Sequence, residues 1–178
     1  PFWVTMAALG LNLVSSFIKS KQAQFIPFIV AVLGLTPAIA WTVKEHPNQY
    51  VYFNEFVGGI AGANGYYDTD YYQNTGLQSA DWIIKNAKRI PGKKITVASN
   101  MLGFDKYFAK DTSWISWYYV RYNDRHQKDW DYYVTYSRYV SAEQLQNGKW
   151  PPANAAYVVK AGGVAIGAVL ERKSKAGM

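Results

Sequence analysis

The chain has 178 residues, a formal net charge of +7, 49% hydrophobic residues and no cysteine, which leaves room for one ordinary domain and something more. The missing cysteines exclude a disulfide framework and any thiolate-bound metal. From residue 44 onward 17 Lys+Arg are scattered among 12 Asp+Glu, a mildly basic solvated surface and not a run that would bind nucleic acid.

The average hides a division: Lys19 and Lys21 carry the only charges in residues 1–43, and every acidic residue lies beyond them. Two different solvents are implied. Residues 1–18, PFWVTMAALGLNLVSSFI, are uncharged, and Asn12, Ser15 and Ser16 would prefer to face other helices. Residues 25–43, FIPFIVAVLGLTPAIAWTV, are also uncharged; as a helix rising ~1.5 Å per residue they would cover roughly 29 Å, close to a bilayer's hydrocarbon thickness. Ten of them are Leu, Ile, Phe or Val, together worth roughly −3 to −6 kcal/mol of insertion free energy. Pro27 falls in the first turn, whereas Pro37 would kink the helix and free a carbonyl that needs a neighbouring helix or water.

The expected fold therefore begins with two transmembrane α-helices, about 1–18 and 25–43. A buried helical hairpin in a soluble core is the alternative, disfavoured because both segments exceed the roughly ten to fourteen apolar residues usual for such helices. The turn between them, KSKQAQ, has two lysines and no acid, so the positive-inside rule places it in the cytoplasm and everything after Lys44 outside. The chain opens at Pro1 directly in apolar sequence, without the basic start of a signal peptide. It reads as the carboxy-terminal part of a larger integral membrane protein, with further helices upstream as partners.

Residues 44–74 are rich in Tyr, Gly and Asn, with GGIAGANG at 58–65, and are expected to be irregular or a short helix along the membrane face. Tyr50, Tyr52, Phe53, Phe56, Tyr66, Tyr67, Tyr71 and Tyr72 suit the headgroup level, and would equally suit a sugar-stacking surface. A helix is predicted over 75–88, capped by Thr75 with Gln78 three residues later. Strands follow at 94–100 and 115–121 with a short helix near 102–109 between them, then a strand at 131–137. Ser141 opens a short helix over AEQLQ, and AAYVVKAGGVAIGAVLER is a hairpin turning at Gly162-Gly163. Residues 75–178 thus make a small extracytoplasmic α/β domain with a mixed sheet.

Catalytic patterns are sparse. His46 and His126 lie eighty positions apart with no metal-ligand spacing. GGIAGANG lacks the lysine and preceding strand of a phosphate-binding loop. Asp68-Thr69-Asp70 offers two carboxylates that could hold a divalent cation, but it does not end an apolar strand, so a hydrogen-bonding role is the stronger reading. His46, Asn54 and Glu55 cluster just after the second apolar segment, where polar groups could meet a lipid-linked substrate or simply anchor the interface.

HPNQYVYFNEFVGG at 46–59 and GANGYYDTDYYQNTGLQSADWI at 62–83 resemble the stretch after the last transmembrane helix of bacterial GT-C type membrane glycosyltransferases, the protein mannosyltransferase-like group of glycosyltransferase family 39. DYYVTYSR and VVKAGGVAIGAVLER are similar too. The resemblance implies a polytopic enzyme of the bacterial cytoplasmic membrane that moves a sugar from a polyprenyl-phosphate carrier to an extracytoplasmic acceptor. Its catalytic carboxylate would lie in the first outer loop, upstream of the matching stretch. His46, Tyr52, Asn54, Glu55, Asp68 and Asp70 then become substrate-facing candidates that roof the active site or select the acceptor, none of them the catalytic base. A non-catalytic, membrane-anchored glycan- or protein-binding envelope module is the rival reading. A transporter has little support, because neither apolar segment holds a charge.

Overall fold

Uncharged sequence at the amino-terminal end folds as helix, the conformation in which an apolar segment satisfies its own backbone. The structure is a computed structural model that describes residues 2–108 and 113–172. Helix α1 spans Phe2–Ser16, and a second helical run passes through a 3-10 turn at Ala23–Phe25, α2 at Ile26–Gly34 and α3 at Thr36–Lys44. The chain divides into two compact units, residues 1–44 and 45–178.

The expectation of two spans is met in part. Among the described residues only Ala23–Lys44, 22 residues, is long and apolar enough to cross a membrane. Helix α1 has 15 residues, about 22 Å of helix against a hydrocarbon core of about 30 Å. It stops where serine hydroxyls engage carbonyls: Ser16 Oγ donates to Leu13 O at 2.7 Å, and Ser15 Oγ donates to Gln24 O at 2.8 Å. These bonds fix the turn instead of prolonging the helix.

Leu35 interrupts the second run, but the carbonyl that Pro37 frees finds a partner inside the chain. Thr36 Oγ1 donates to Leu33 O at 2.6 Å, so the expected need for a neighbouring helix or water at that carbonyl does not arise. No hydrophobic side chain in residues 2–44 is buried, and Trp3, Leu9, Phe28, Val32 and Leu33 are all exposed. The alternative of a buried helical hairpin is therefore not how this chain disposes of them. Apolar surface of this extent needs lipid or another protein to cover it.

The second unit is organised by a five-stranded mixed sheet in the order β2-β1-β3-β5-β4, as the α/β expectation required. The strands are β1 (Ile95–Ser99), β2 (Ile115–Tyr119), β3 (Tyr132–Tyr136), β4 (Ala155–Ala161) and β5 (Val164–Glu171). Strands β2, β1 and β3 run parallel, with Val97 opposite both Trp117 and Tyr132. Strand β5 is antiparallel to β3 and to β4. Gly162 and Gly163, with φ of 52° and 82°, turn the β4–β5 hairpin in the left-handed conformation a two-residue turn demands.

Side chains alternate across the sheet with period two. Ile95, Val97, Tyr132, Val134 and Val169 face Ala80 and Ile83 of α5 (Thr75–Asn86). Ala98, Tyr133, Ala168 and Leu170 face the opposite way, onto Val120, Tyr122, Trp130 and Trp150. All five residues of β3 are buried, as expected for a strand covered on both sides. The short helix expected near 102–109 is a 3-10 turn at Phe104–Phe108, and its last expected residue lies outside the described residues.

One close approach fixes α5 on the sheet. A Cβ at Gly167 of β5 would stand 2.7 Å from Thr75 Cβ and Cγ2, inside any normal van der Waals contact. Gly167→Ala is expected to cost about 1–3 kcal/mol through forced displacement of the helix, read as a lowered unfolding midpoint. An unchanged midpoint would show that α5 gives way freely.

Candidate functional site

Residues 45–74 belong to the same unit as the sheet and carry short turns: 3-10 segments at Gln49–Val51 and Glu55–Val57, and α4 at Gly59–Ala63. They are tied down by polar contacts that the sequence does not announce. Glu45 Oε2 accepts from Gly162 N–H at 2.9 Å, at the tip of the β4–β5 hairpin. Buried Asn48 accepts from Gln78 Nε2 at 3.0 Å and donates to Lys160 O at 3.5 Å. The segment is thereby latched to β4 and α5.

Among the sequence candidates, His46 is exposed and its Nδ1 pairs with Gln49 Nε2 at 2.8 Å. Tyr52 Oη donates to Glu55 Oε2 at 3.3 Å; partial desolvation and then the Glu55 charge hold the phenol above its ordinary pKa. Asn54 is a helix cap: its side-chain oxygen accepts from Val57 N–H at 3.3 Å. Phe56 is fully exposed beside it.

Asp68 and Asp70 serve different partners. Asp68 Oδ2 meets Arg138 Nε at 3.3 Å near the surface. Asp70 is fully buried and accepts four hydrogen bonds: from Asn74 N–H at 2.8 Å, Asn74 Nδ2 at 3.3 Å, Thr75 N–H at 3.3 Å and Thr75 Oγ1 at 2.7 Å. Asp70 is thus the cap of α5. The expected cap, Thr75 with Gln78, is corrected: the chain curls back through residues 70–73, so a carboxylate five positions upstream reaches the free amides first, and the Thr75 hydroxyl becomes a donor to it. Between the two acids, Thr69 Oγ1 and Ser137 Oγ share a buried hydrogen bond of 2.6 Å. A cation shared by Asp68 and Asp70 would have to displace both the ion pair and the cap. Among the described residues no three His, Asp or Glu side chains gather as a metal site.

The aromatic side chains of 50–72 do assemble. Tyr50 and Tyr72 meet edge to face at 6.1 Å, Tyr71 and Tyr72 at 5.1 Å, and Phe53 and Tyr67 pair at 5.9 Å. The Arg138 guanidinium lies 4.2 Å from the Tyr71 ring centroid, a cation–π contact. Tyr50, Tyr66, Tyr71 and Tyr72 remain more than half exposed.

A concavity lies where the sequence offered no motif, at the carboxyl ends of the three parallel strands. Its wall is contributed by Asn100 directly after β1, by Tyr119 and residues 121–124 at the end of β2, and by Tyr139 after β3, enclosing about 250 Å³. Asn123 and Tyr139 also border a wider, shallower depression of about 670 Å³ lined by Arg138, Ser141 and Lys149. Open α/β sheets place ligands in this position, where the chain leaves β1 towards one neighbour while a different strand flanks it on the other side. A depression at the opposite end of the sheet is bordered by Lys88, Lys93 and Glu171 and by two pairs already engaged: Arg172 pairs with Asp129, and Asp131 Oδ2 accepts from Thr96 N–H at 2.8 Å. No sequence signal marks the carboxyl-end crevice, since its residues are common types at no diagnostic spacing and the strand order that assembles it belongs to the tertiary structure. Compared with protein-family models, with curated proteins and with solved structures, the chain matches none.

Proposed function

We propose that this chain is the carboxy-terminal part of an integral membrane glycosyltransferase of GT-C type, which moves a sugar from a polyprenyl-phosphate donor to an extracytoplasmic acceptor. The globular unit serves it by roofing the active site or selecting the acceptor. The observation that carries the reading is the state of residues 2–44, where apolar helices, charged only at Lys44, leave every hydrophobic side chain unburied. The strings at 46–59 and 62–83 add the family resemblance. Glu45 opens the globular unit directly after the apolar run, so the aromatic cluster of 50–72 starts within a few residues of the bilayer, where tyrosines are favoured.

On this reading the full chain stays with membranes after alkaline carbonate extraction, and a cysteine introduced beyond residue 60 is labelled only from the outside. Val30→Arg, in the middle of the second run, opposes insertion by about 3 kcal/mol and shifts the chain toward the soluble or aggregated fraction. Cytoplasmic labelling would reverse the orientation, and complete extraction would remove the membrane reading. Expressed by itself, the chain is expected to transfer no sugar from a polyprenyl-phosphate donor, because the family resemblance puts the catalytic carboxylate in a first outer loop upstream of the matching stretch; measurable transfer would contradict this.

The second reading, a membrane-anchored glycan- or protein-binding module without catalysis, is favoured by a different observation. Asn54 and Asp70 cap turns instead of facing a substrate, whereas the concavity at the strand ends is walled by tyrosines and polar side chains.

A further inference from the structure

We infer that the crevice at the carboxyl ends of β1, β2 and β3 is a carbohydrate subsite that takes one pyranose ring of a neutral glycan. The inference deepens the proposed function and rests on it for the choice of glycans as ligand class.

Asn100 is the central observation. It is 3% exposed, lines the crevice, and neither its side-chain oxygen nor its side-chain nitrogen has a hydrogen-bond partner among the described residues. Leaving both halves of a buried amide unpaired is costly, and buried polar groups without partners are rare enough to require a reason. An amide offers two donors and two acceptor lone pairs. Adjacent hydroxyls of a sugar ring, each both donor and acceptor, complement that pair in a way that a carboxylate, an acceptor only, cannot.

The remaining wall fits the same ligand. Tyr119 and Tyr139 are 42% and 50% exposed, leaving ring surface for the apolar C–H face of a pyranose. Arg121 supplies donors and Asp124 supplies acceptors, and both line the crevice. Their opposite charges offset each other, which disfavours a strongly anionic occupant. The volume of about 250 Å³ is just below the range usual for drug-sized ligands, so it suits one ring and not a disaccharide. The shallower depression next to it, which shares Asn123 and Tyr139, gives further residues of a glycan chain somewhere to lie. The backbone under the site is held rigid: Val120 N–H donates to Ser99 O at 2.9 Å, Met101 N–H donates to Ser99 Oγ at 3.0 Å, and Tyr133 Oη donates to Val120 O at 2.9 Å.

The test uses the full chain in lipid nanodiscs and saturation-transfer NMR with the methyl glycosides of mannose, glucose, galactose and N-acetylglucosamine at millimolar concentration. Inorganic phosphate is the competitor. At least one glycoside is expected to receive saturation on its ring protons and to be indifferent to phosphate. Arg121→Ala, Tyr119→Ala and Asn100→Leu should each weaken it fivefold or more. The first two alter exposed side chains, so they keep the test decisive if the buried Asn100 variant does not fold. Binding of none of the four, binding unchanged in Arg121→Ala and Tyr119→Ala, or displacement by phosphate would each overturn the subsite. Glycoside binding by a chain that fails carbonate extraction would keep the subsite and remove the membrane transferase; a membrane-inserted chain that binds no glycoside would remove the subsite alone.

Discussion

Asp70→Ala is expected to lower the unfolding free energy of the globular unit by about 3 kcal/mol, the range set by hydrogen bonds to a charged acceptor and by loss of a helix cap. The carboxylate is fully buried and receives both the Asn74 and Thr75 amides and the Thr75 hydroxyl. An alanine leaves those donors buried without partners. It also frees Thr75, whose side chain is wedged against Gly167 of β5, so cap and helix–sheet packing fail together. Asp68→Ala removes only an exposed ion pair with Arg138 and should cost less than about 1 kcal/mol. Thermal unfolding of the two variants side by side checks the ordering, and equal losses would contradict it.

The same carboxyl has a pH consequence. Burial pushes the Asp70 pKa above its ordinary value, while the Thr75 and Asn74 hydrogen bonds pull it back. A raised folded-state pKa means that folding favours the protonated acid. That contribution is complete below the unfolded value of about 4 and is lost as pH rises through the folded value. The stability gap between the wild-type chain and Asp70→Asn should therefore move in favour of the variant as pH rises from about 4 toward neutrality. A shift in favour of wild type would show that the hydrogen bonds outweigh burial.

Tyr133→Ala should be the most damaging single truncation of the globular unit, at about 3–5 kcal/mol for a large buried ring. Tyr133 is completely buried within β3, 5.6 Å from the Trp130 ring and 6.4 Å from Tyr122. Its hydroxyl donates to Val120 O at 2.9 Å, the carbonyl from which β2 turns into the crevice wall. Burial drives its pKa far up, so it remains a donor through neutral and moderately alkaline pH. Tyr133→Phe keeps the ring and strands the carbonyl, for about 1 kcal/mol. Because Val120 precedes Arg121, the phenylalanine variant should also weaken glycoside binding by more than its small stability loss would suggest. A stable Tyr133→Phe with unaltered binding would show that the wall needs no support from beneath.

How much of this was legible in the sequence depends on how local the cause was. The helix at α5, the strands β1, β2 and β3, the hairpin at Gly162-Gly163 and the Ser141 cap of α6 (Ala142–Gln146), where Ser141 Oγ accepts from Gln144 N–H at 3.3 Å, each follow from residues within one or two turns of one another. Hydrophobic period and turn chemistry act at that range. The apolar composition of residues 2–44, whose only charges are Lys19, Lys21 and Lys44, is equally local, and it sets them apart from the sheet that follows. Span number was less secure, because α1 ends on serine hydrogen bonds that composition does not register.

What tertiary structure alone decided is which polar side chains became structural. Asp68 and Asp70 look equivalent one residue apart, yet the backbone turn between them sends one to Arg138 and the other into the amides of α5. Asn48 reaches Lys160, which is 112 positions away in sequence. Asn100 carries no motif, and it lines a cavity only because β2 and β3 flank β1 and bring their carboxyl ends to the same edge. Sequence separation hides such contacts, since the free energy that selects a strand order is spread over the whole buried sheet, while the chemistry of a site depends on the few side chains that this order leaves facing one another.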